Sequence, residues 1–280
     1  MTQLTPLIDT QALTRNRGRA DRTALFLQEA ARDEIEDRLA MVNKSFSAPG
    51  IVSAYPDLWT GRMTNASVRP EADTIDLMPN QHDLVIHSLG LHWANDPVGQ
   101  LIQCRRALKA DGLLLAVALG GQTLNELRAS LAEAEVAETG GLSPRVAPMA
   151  EVRDLGALLQ RAGLALPVAD TVPLRVRYQS MWHLMRDLRT MGETNALTGR
   201  GRSTTRPGIF KKAADIFSAT FPAADEGYMP PFELMARQAG PRMPASKNRC
   251  AQVLRRRALP MHSERTKRRC QIDLHANPFI

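Results

Sequence analysis

The residues best placed to do chemistry stand at the end of the apolar run Asp83-Leu84-Val85-Ile86-His87-Ser88-Leu89. Ser88 and Leu89 close the run, and His92 and Trp93 follow it. A run of this kind, rich in β-branched residues, is expected for a strand buried on both faces of a parallel sheet. An open α/β sheet places its ligand crevice beyond the carboxyl ends of its strands, so these four residues are the candidate cofactor-binding set. Beside a substrate, His92 and Trp93 would line that crevice. The other reading of Trp93 is a ring packed over the sheet edge with its N–H satisfied locally. No residue is assigned as catalytic.

Other polar groups offer less. His82 and His87 are five residues apart, so they project to opposite faces of one strand and should not share a metal. No metal site is expected, because no His and Cys set has zinc-ligand spacing. Gly120-Gly121 would let backbone approach a ligand, or would simply turn the chain ahead of a helix starting near Thr123. Ser143-Pro144-Arg145 reads either as a lid carrying a cation or as a surface connection. Glu126 with Arg128, and Glu193 with Asn195, are read as helix-surface pairs. Neither a Gly-x-Ser-x-Gly elbow nor a Gly-x-x-x-x-Gly-Lys-Ser/Thr loop occurs, which removes support for serine hydrolase and nucleotidase chemistry.

The elements that must position these residues follow from periodicity. An amphipathic helix begins near Leu25 and carries Ile35, Leu39 and Val42 on one face. Between Ser45 and Asn80 only Ile51 to Tyr55 reads as a strand, and prolines and glycines punctuate the rest. After the strand at Asp83, Asp96 is a good N-cap and Pro97 suits the first helical position, with the helix stopping at Asp111-Gly112. Leu113 to Ala118 is the next buried strand. Helices are expected at Leu124 to Ala137, Leu155 to Ala162 and Trp182 to Met191, with an extended segment from Pro167 to Tyr178. Such alternation predicts a doubly wound, mostly parallel α/β sheet.

Charge is unevenly spread along the 280 residues. Residues 237–280 hold 11 Lys or Arg against 2 Asp or Glu, a net of +9, whereas residues 1–236 hold 25 against 27, a net of −2. The folded part is therefore not basic, and a nucleic-acid reading would rest on unselective phosphate contacts by the tail alone. The domain reading is an N-terminal arm at 1–22, a main domain at 23–236, and a basic, disordered tail at 237–280. A change of reading frame near residue 236 would account for the abrupt shift in charge and the lost periodicity. Only three cysteines occur, none in a Cys-x-x-Cys pair, and no apolar stretch reaches membrane-spanning or signal length. A reducing, cytoplasmic setting is the expectation.

The strand at Asp83 to Trp93, with the Leu108-Lys109-Ala110-Asp111-Gly112 turn, resembles class I S-adenosylmethionine-dependent methyltransferases. Further segments narrow the likeness: Gly120-Gly121-Gln122-Thr123-Leu124-Asn125-Glu126-Leu127-Arg128, Gly140-Gly141-Leu142-Ser143-Pro144-Arg145-Val146, Arg153-Asp154-Leu155-Gly156, Leu184-Met185-Arg186-Asp187-Leu188 and Met191-Gly192-Glu193-Thr194-Asn195. Together they are similar to the mitochondrial complex I assembly factor 5 family, its bacterial relatives and, more remotely, the malonyl carrier-protein methyltransferase of biotin synthesis, over roughly Asp21 to Met235. The resemblance implies a methyltransferase-like, Rossmann-like fold, S-adenosylmethionine as cofactor, and a protein substrate or partner such as a complex I subunit. It implies methyl transfer or, in the assembly-factor branch, hydroxylation of an arginine; a non-catalytic assembly factor is the remaining alternative. Two departures stand out. The region of the first strand, Ala48 to Pro56, lacks the glycine-rich loop that admits the cofactor, and only 30 residues separate Val52 from Asp83 where a complete domain needs about 60. The first half is thus shortened, with Asp73 and Asp76 as the available carboxylates for a ribose. The last strand, beginning near Tyr228, is expected to be truncated at Ala236.

Overall fold

The structure is a computed structural model that describes residues 5–42, 44–221 and 231–241. Two helices, α1 (Thr10–Gly18) and α2 (Phe26–Met41), lead into strand β1 (Pro49–Ser53), and after a 3-10 turn at Pro56–Trp59 the chain forms β2 (Ser67–Pro70). From there β3 (His82–Ser88), α3 (Pro97–Ala107), β4 (Leu108–Leu119), α4 (Asn125–Thr139), α5 (Val152–Arg161), β5 (Leu164–Arg175), α6 (Met181–Thr190), α7 (Pro207–Thr220) and β6 (Pro231–Pro241) complete the order. One six-stranded sheet runs β2-β1-β3-β4-β6-β5. Strands β1 to β4 pair in parallel, and β6 lies antiparallel between β4 and β5.

Alternation along the central strands explains why helices cover both faces. Ile51, Leu84, Ile86, Leu113, Leu115 and Val117 point to one side, where they pack with Leu27 and Ile35 of α2, Leu127 and Leu131 of α4, Leu184 of α6 and Phe217 of α7. Val52, Val85, Leu114, Ala116 and Ala118 point to the other, against Leu101, Cys104 and Ala107 of α3 and Leu159 of α5. The fold is a doubly wound α/β sheet, as its pattern predicts. Local signals hold as well: the Asp96 side chain accepts a hydrogen bond from the Gly99 N–H at 2.8 Å with Pro97 at the first helical position, and α5 stops at Gly163, whose φ of +78° suits glycine.

The shortening of the first half is visible directly. Between β1 and β3 the chain makes only the 3-10 turn and the four-residue strand β2, which becomes the sheet edge. The expected truncation of the last strand is corrected. Strand β6 runs past Ala236 to Pro241, pairing with β4 from Leu234 to Ala239 and with β5 along its whole length. A strand flanked on both sides satisfies its backbone groups whatever its side chains are, so the loss of apolar alternation after Met235 does not end it. Residues 237–241, the start of the expected tail, thus belong to β6, and the rest of that tail, residues 242–280, lies outside the described residues. Helices α1 and α7 were not anticipated from periodicity; α7 packs on α4. No helix among the described residues is long and apolar enough to cross a membrane.

Candidate functional site

The chain leaves β1 toward β2 on one side and returns to β3 on the other, so the switch point of the sheet lies between β1 and β3. Ser53 and Ser88 are register partners at the carboxyl ends of those two strands. The Ser88 hydroxyl is buried with no hydrogen-bond partner among the described residues. Leu89 continues the sheet by donating its N–H to Val117 O at 2.9 Å, yet its φ is +50°, a left-handed conformation that a fully buried leucine rarely adopts. Strain of this kind is held where the surroundings over-determine it, commonly beside a functional site.

A carboxylate stands at the end of β2, and it is neither Asp73 nor Asp76. Glu71 directly follows Pro70, its N–H donates to Ser53 O at 3.1 Å, and its side chain is 7% exposed. Gly90 makes room for it, since a Cβ there would sit 2.5 Å from the Glu71 carboxyl group. Asp73 and Asp76 are exposed, and Asp76 pairs with Arg69 on the surface. The signal for Glu71 was present in the sequence as a carboxylate one residue past Ser67-Val68-Arg69-Pro70, a strand too short to announce itself.

The segment after α6 closes the crevice from above, and it accounts for the Met191-Gly192-Glu193-Thr194-Asn195 motif residue by residue. Met191 O accepts from the Tyr55 hydroxyl at 2.6 Å. Gly192, at φ +77°, lies against the Tyr55 hydroxyl, Arg17 Cα and Asn16 O, positions that a Cβ would approach to 2.9–3.1 Å. Glu193 accepts from Trp93 Nε1 at 2.5 Å and from Gln28 Nε2 at 3.5 Å, with His92 Nε2 at 3.7 Å. Thr194 O accepts from Asn16 Nδ2 at 3.4 Å, and Asn195 Nδ2 donates to Pro144 O at 2.9 Å. Glu193 is therefore not a helix-surface group. Burial pushes its carboxyl up, but the donors and charges of His92, Arg17 and Trp93 outweigh burial and hold it below the usual carboxylate range, so it is ionised. Tyr55 is the opposite case: burial first, then the Glu193 charge, push its phenol up to about 12, and it stays a neutral donor.

The fourth wall is the arm. Arg17, on α1, donates from Nη1 to Glu71 Oε2 at 2.8 Å, with the two side chains 11% and 7% exposed. Its Nε and Nη2, the Ser88 hydroxyl and both ring nitrogens of His92 are buried without hydrogen-bond partners among the described residues. The structure places Ser88, Leu89, His92 and Trp93 at and just beyond the carboxyl end of β3, and sets Arg17, Tyr55, Glu71 and Glu193 around them. These additions come from elements whose meeting no local pattern foretells.

The remaining candidates do other things. His87 Nε2 meets Gln100 Oε1 at 2.8 Å, while His82 Nδ1 meets Ala48 O at 3.1 Å, on separate faces. Gly120 accepts from the Thr123 N–H in a turn ahead of α4. Arg145 is held by both oxygens of Glu135, at 2.8 and 2.9 Å, and Ser143 donates to the same carboxylate, so that loop is pinned to α4. Arg128 donates to Ala147 O at 3.0 Å, and burial raises the carboxyl of Glu126. No group of three or more His, Cys, Asp or Glu suited to hold a metal ion is brought together among the described residues.

The arrangement departs from an ordinary S-adenosylmethionine site at the loop after β1. The backbone that should form a bare loop after β1 is Ala54-Tyr55, and the Tyr55 and Arg17 side chains fill the space over the switch point. An open cavity of about 540 Å³ lies instead beside the sheet edge, lined by Trp59, Met63, Val68 and Arg69 among others. The carboxylate of Glu71 stands buried at the end of β2.

No family model matches the chain. It is similar to the human mitochondrial arginine-hydroxylase NDUFAF5, with 38% identity over 173 residues, 62% of this chain and 50% of the human protein. The Dictyostelium discoideum protein of the same name is 38% identical over 168 residues, 60% of this chain and 38% of that one. The malonyl-acyl-carrier-protein O-methyltransferase of Laribacter hongkongensis is 34% identical over 171 residues, 58% of this chain and 56% of that one. The chain thus spans about half the length of the curated relatives it matches. Among solved structures, the YcgJ protein of Bacillus subtilis aligns with a TM-score of 0.48 at 10% identity, over 76% of this chain and all of that one. The resemblance to class I methyltransferases near the arginine-hydroxylases stands on the sequence relatives, and the fold on the strand order itself.

Proposed function

We propose that the chain is a methyltransferase-fold enzyme acting on a protein, with its working site in the crevice over the β1–β3 switch point. The observation that carries this is the meeting there of Glu71 at the end of β2 with the Glu193, Trp93 and His92 cluster, beside the partnerless Ser88 hydroxyl. Buried polar groups left without partners cost about 1–3 kcal/mol each, and a site that tolerates several in one place is built to receive something. The names of the relatives support a protein substrate in respiratory complex I assembly, with S-adenosylmethionine as cofactor and methyl transfer as the reaction; arginine hydroxylation is the alternative chemistry their name carries. A cytoplasmic setting is supported by the small number of cysteines, none in a Cys-x-x-Cys pair. No specific nucleic acid is part of the reading, since the main domain is not basic.

A second reading has a specific observation in its favour. The crevice is closed and lacks the glycine loop, which favours a non-catalytic assembly factor that keeps the fold to hold a partner. Calorimetric titration of S-adenosylmethionine into the full chain separates the two. Micromolar binding, weakened at least about tenfold by Glu71→Gln, is the expected result, about 1.4 kcal/mol or more. Absence of heat from a protein that melts cooperatively moves the function to the holder.

A further inference from the structure

We propose that the N-terminal arm is a latch: helix α1 holds the crevice shut by placing Arg17 on Glu71, and it must lift for any ligand to reach that carboxylate. This rests on the crevice being the working site. The arm is strapped at its two ends and weakly held between them. At one end Ile8 exchanges hydrogen bonds with the Asn95 side chain, at 2.8 and 3.1 Å, the Asp9 N–H donates to Ala196 O at 2.8 Å, and Arg200 pairs with the Asp9 carboxylate at 2.7 Å. At the other end the Asp21 N–H donates to Thr190 O at 2.8 Å. Between these straps α1 is nine residues long and buries only Ala12 and Leu13. A helix of that length does not stand alone in water, and one with so little apolar contact belongs to the low end of local stability.

What keeps it down is polar. Arg17 meets Glu71 at 2.8 Å, Asn16 reaches Thr194 O, and Gly192 allows the α1 backbone to approach. The closed state is imperfect, because Arg17 Nε and Nη2, the Ser88 hydroxyl and His92 Nδ1 are left without hydrogen-bond partners among the described residues, and His92 Nε2 has only Glu193 at 3.7 Å. His92 and Ser88 are almost wholly enclosed, with 2% of the His92 side chain and 1% of Ser88 exposed. Occupation of the crevice by a polar ligand would satisfy groups that the latch leaves unmet, so ligand and latch compete for the same carboxylate.

Hydrogen exchange on the full chain tests this, comparing the natural protein with Arg17→Met and Arg17→Lys after each is shown to melt cooperatively. Arg17→Met should speed exchange of the α1 amides at least about tenfold while β3 and β4 amides are unchanged, with Arg17→Lys between the two. Unchanged α1 exchange in Arg17→Met overturns the latch, and so does an equal rise in β3 and β4, which would make Arg17 a general structural group. Titration with S-adenosylmethionine gives a second reading: tighter binding by Arg17→Met supports the latch, and weaker binding overturns it by making Arg17 a ligand-holding residue. If neither protein binds the cofactor, the cofactor part of the proposed function fails, and the exchange result alone decides the latch.

Discussion

From β3 to α5 several element ends are set by residues on the spot, whereas in the region from Leu7 to Asn80 the contacts that form the site join partners more than fifty residues apart. Asp96 and Pro97 open α3 and Gly163 closes α5, and the alternating faces of β3 and β4 feed two apolar clusters. In the earlier region Arg17 finds Glu71, Ile8 finds Asn95, Tyr55 finds Met191 and Asp9 finds Arg200. Area buried from water stabilises both regions, through Leu27, Ile35 and Ile51 in the earlier one, and there buried hydrogen bonds and ion pairs add to it by fixing which segments meet.

The largest effect that would break this comparison is expected in the core of the later region. Leu115 is 1% exposed at the centre of β4, and Leu115→Ala should cost about 4 kcal/mol, toward the upper part of the range for a buried leucine. The measurement is the shift in urea midpoint at constant slope. A loss under about 1 kcal/mol would show that β4 packing is not what stabilises the domain.

Next is the polar anchor of the crevice. Glu193→Gln keeps an acceptor for the Trp93 N–H but removes the charge that faces Arg17 and His92, and should cost about 2–3 kcal/mol at neutral pH. The sign of its pH dependence follows from the lowered folded pKa. The unfolded chain takes up the proton first as pH falls, so the contribution of Glu193 is full above the ordinary carboxylate value of about 4.5 and is lost as pH drops through the lower folded value. Glu193→Gln should therefore flatten the acid side of the stability profile. Equal acid slopes in the two proteins would show that folding does not lower the Glu193 pKa.

The same contrast decides what was legible in the sequence. The start of α3 and the cores of β3 and β4 could be read, because each depends on a period or a cap within about a dozen residues, but α3 ends at Ala107 and β4 begins at Leu108, ahead of the expected stop at Asp111-Gly112. Helix α1 could not, since it buries only Ala12 and Leu13, and neither could Glu71, whose strand has four residues. Glu193 was read as a surface group because helix spacing says nothing of a loop folded back over the sheet. The end of β6 was misplaced for the complementary reason, that pairing on two sides outweighs side-chain pattern.

The smallest effect sharpens the comparison most. Asp76 pairs with Arg69 at 3.1 Å in the earlier region, as Glu71 pairs with Arg17, but Asp76 is 84% exposed and Glu71 only 7%. Both are carboxylates near the end of β2, and by sequence alone Asp76 was a candidate for the ribose. If charge pairing as such positions this region, Asp76→Asn should cost as much as a change at Glu71. If exclusion of water is what gives the pairs their weight, Asp76→Asn should change stability by less than about 0.5 kcal/mol, with that small change fading in high salt. Exchange of the α1 amides should also be untouched, because Asp76 lies outside the crevice that Arg17 enters. A stability loss above 1 kcal/mol, or faster α1 exchange, would return Asp76 to the site and would make polarity rather than burial the property that organises the shortened half.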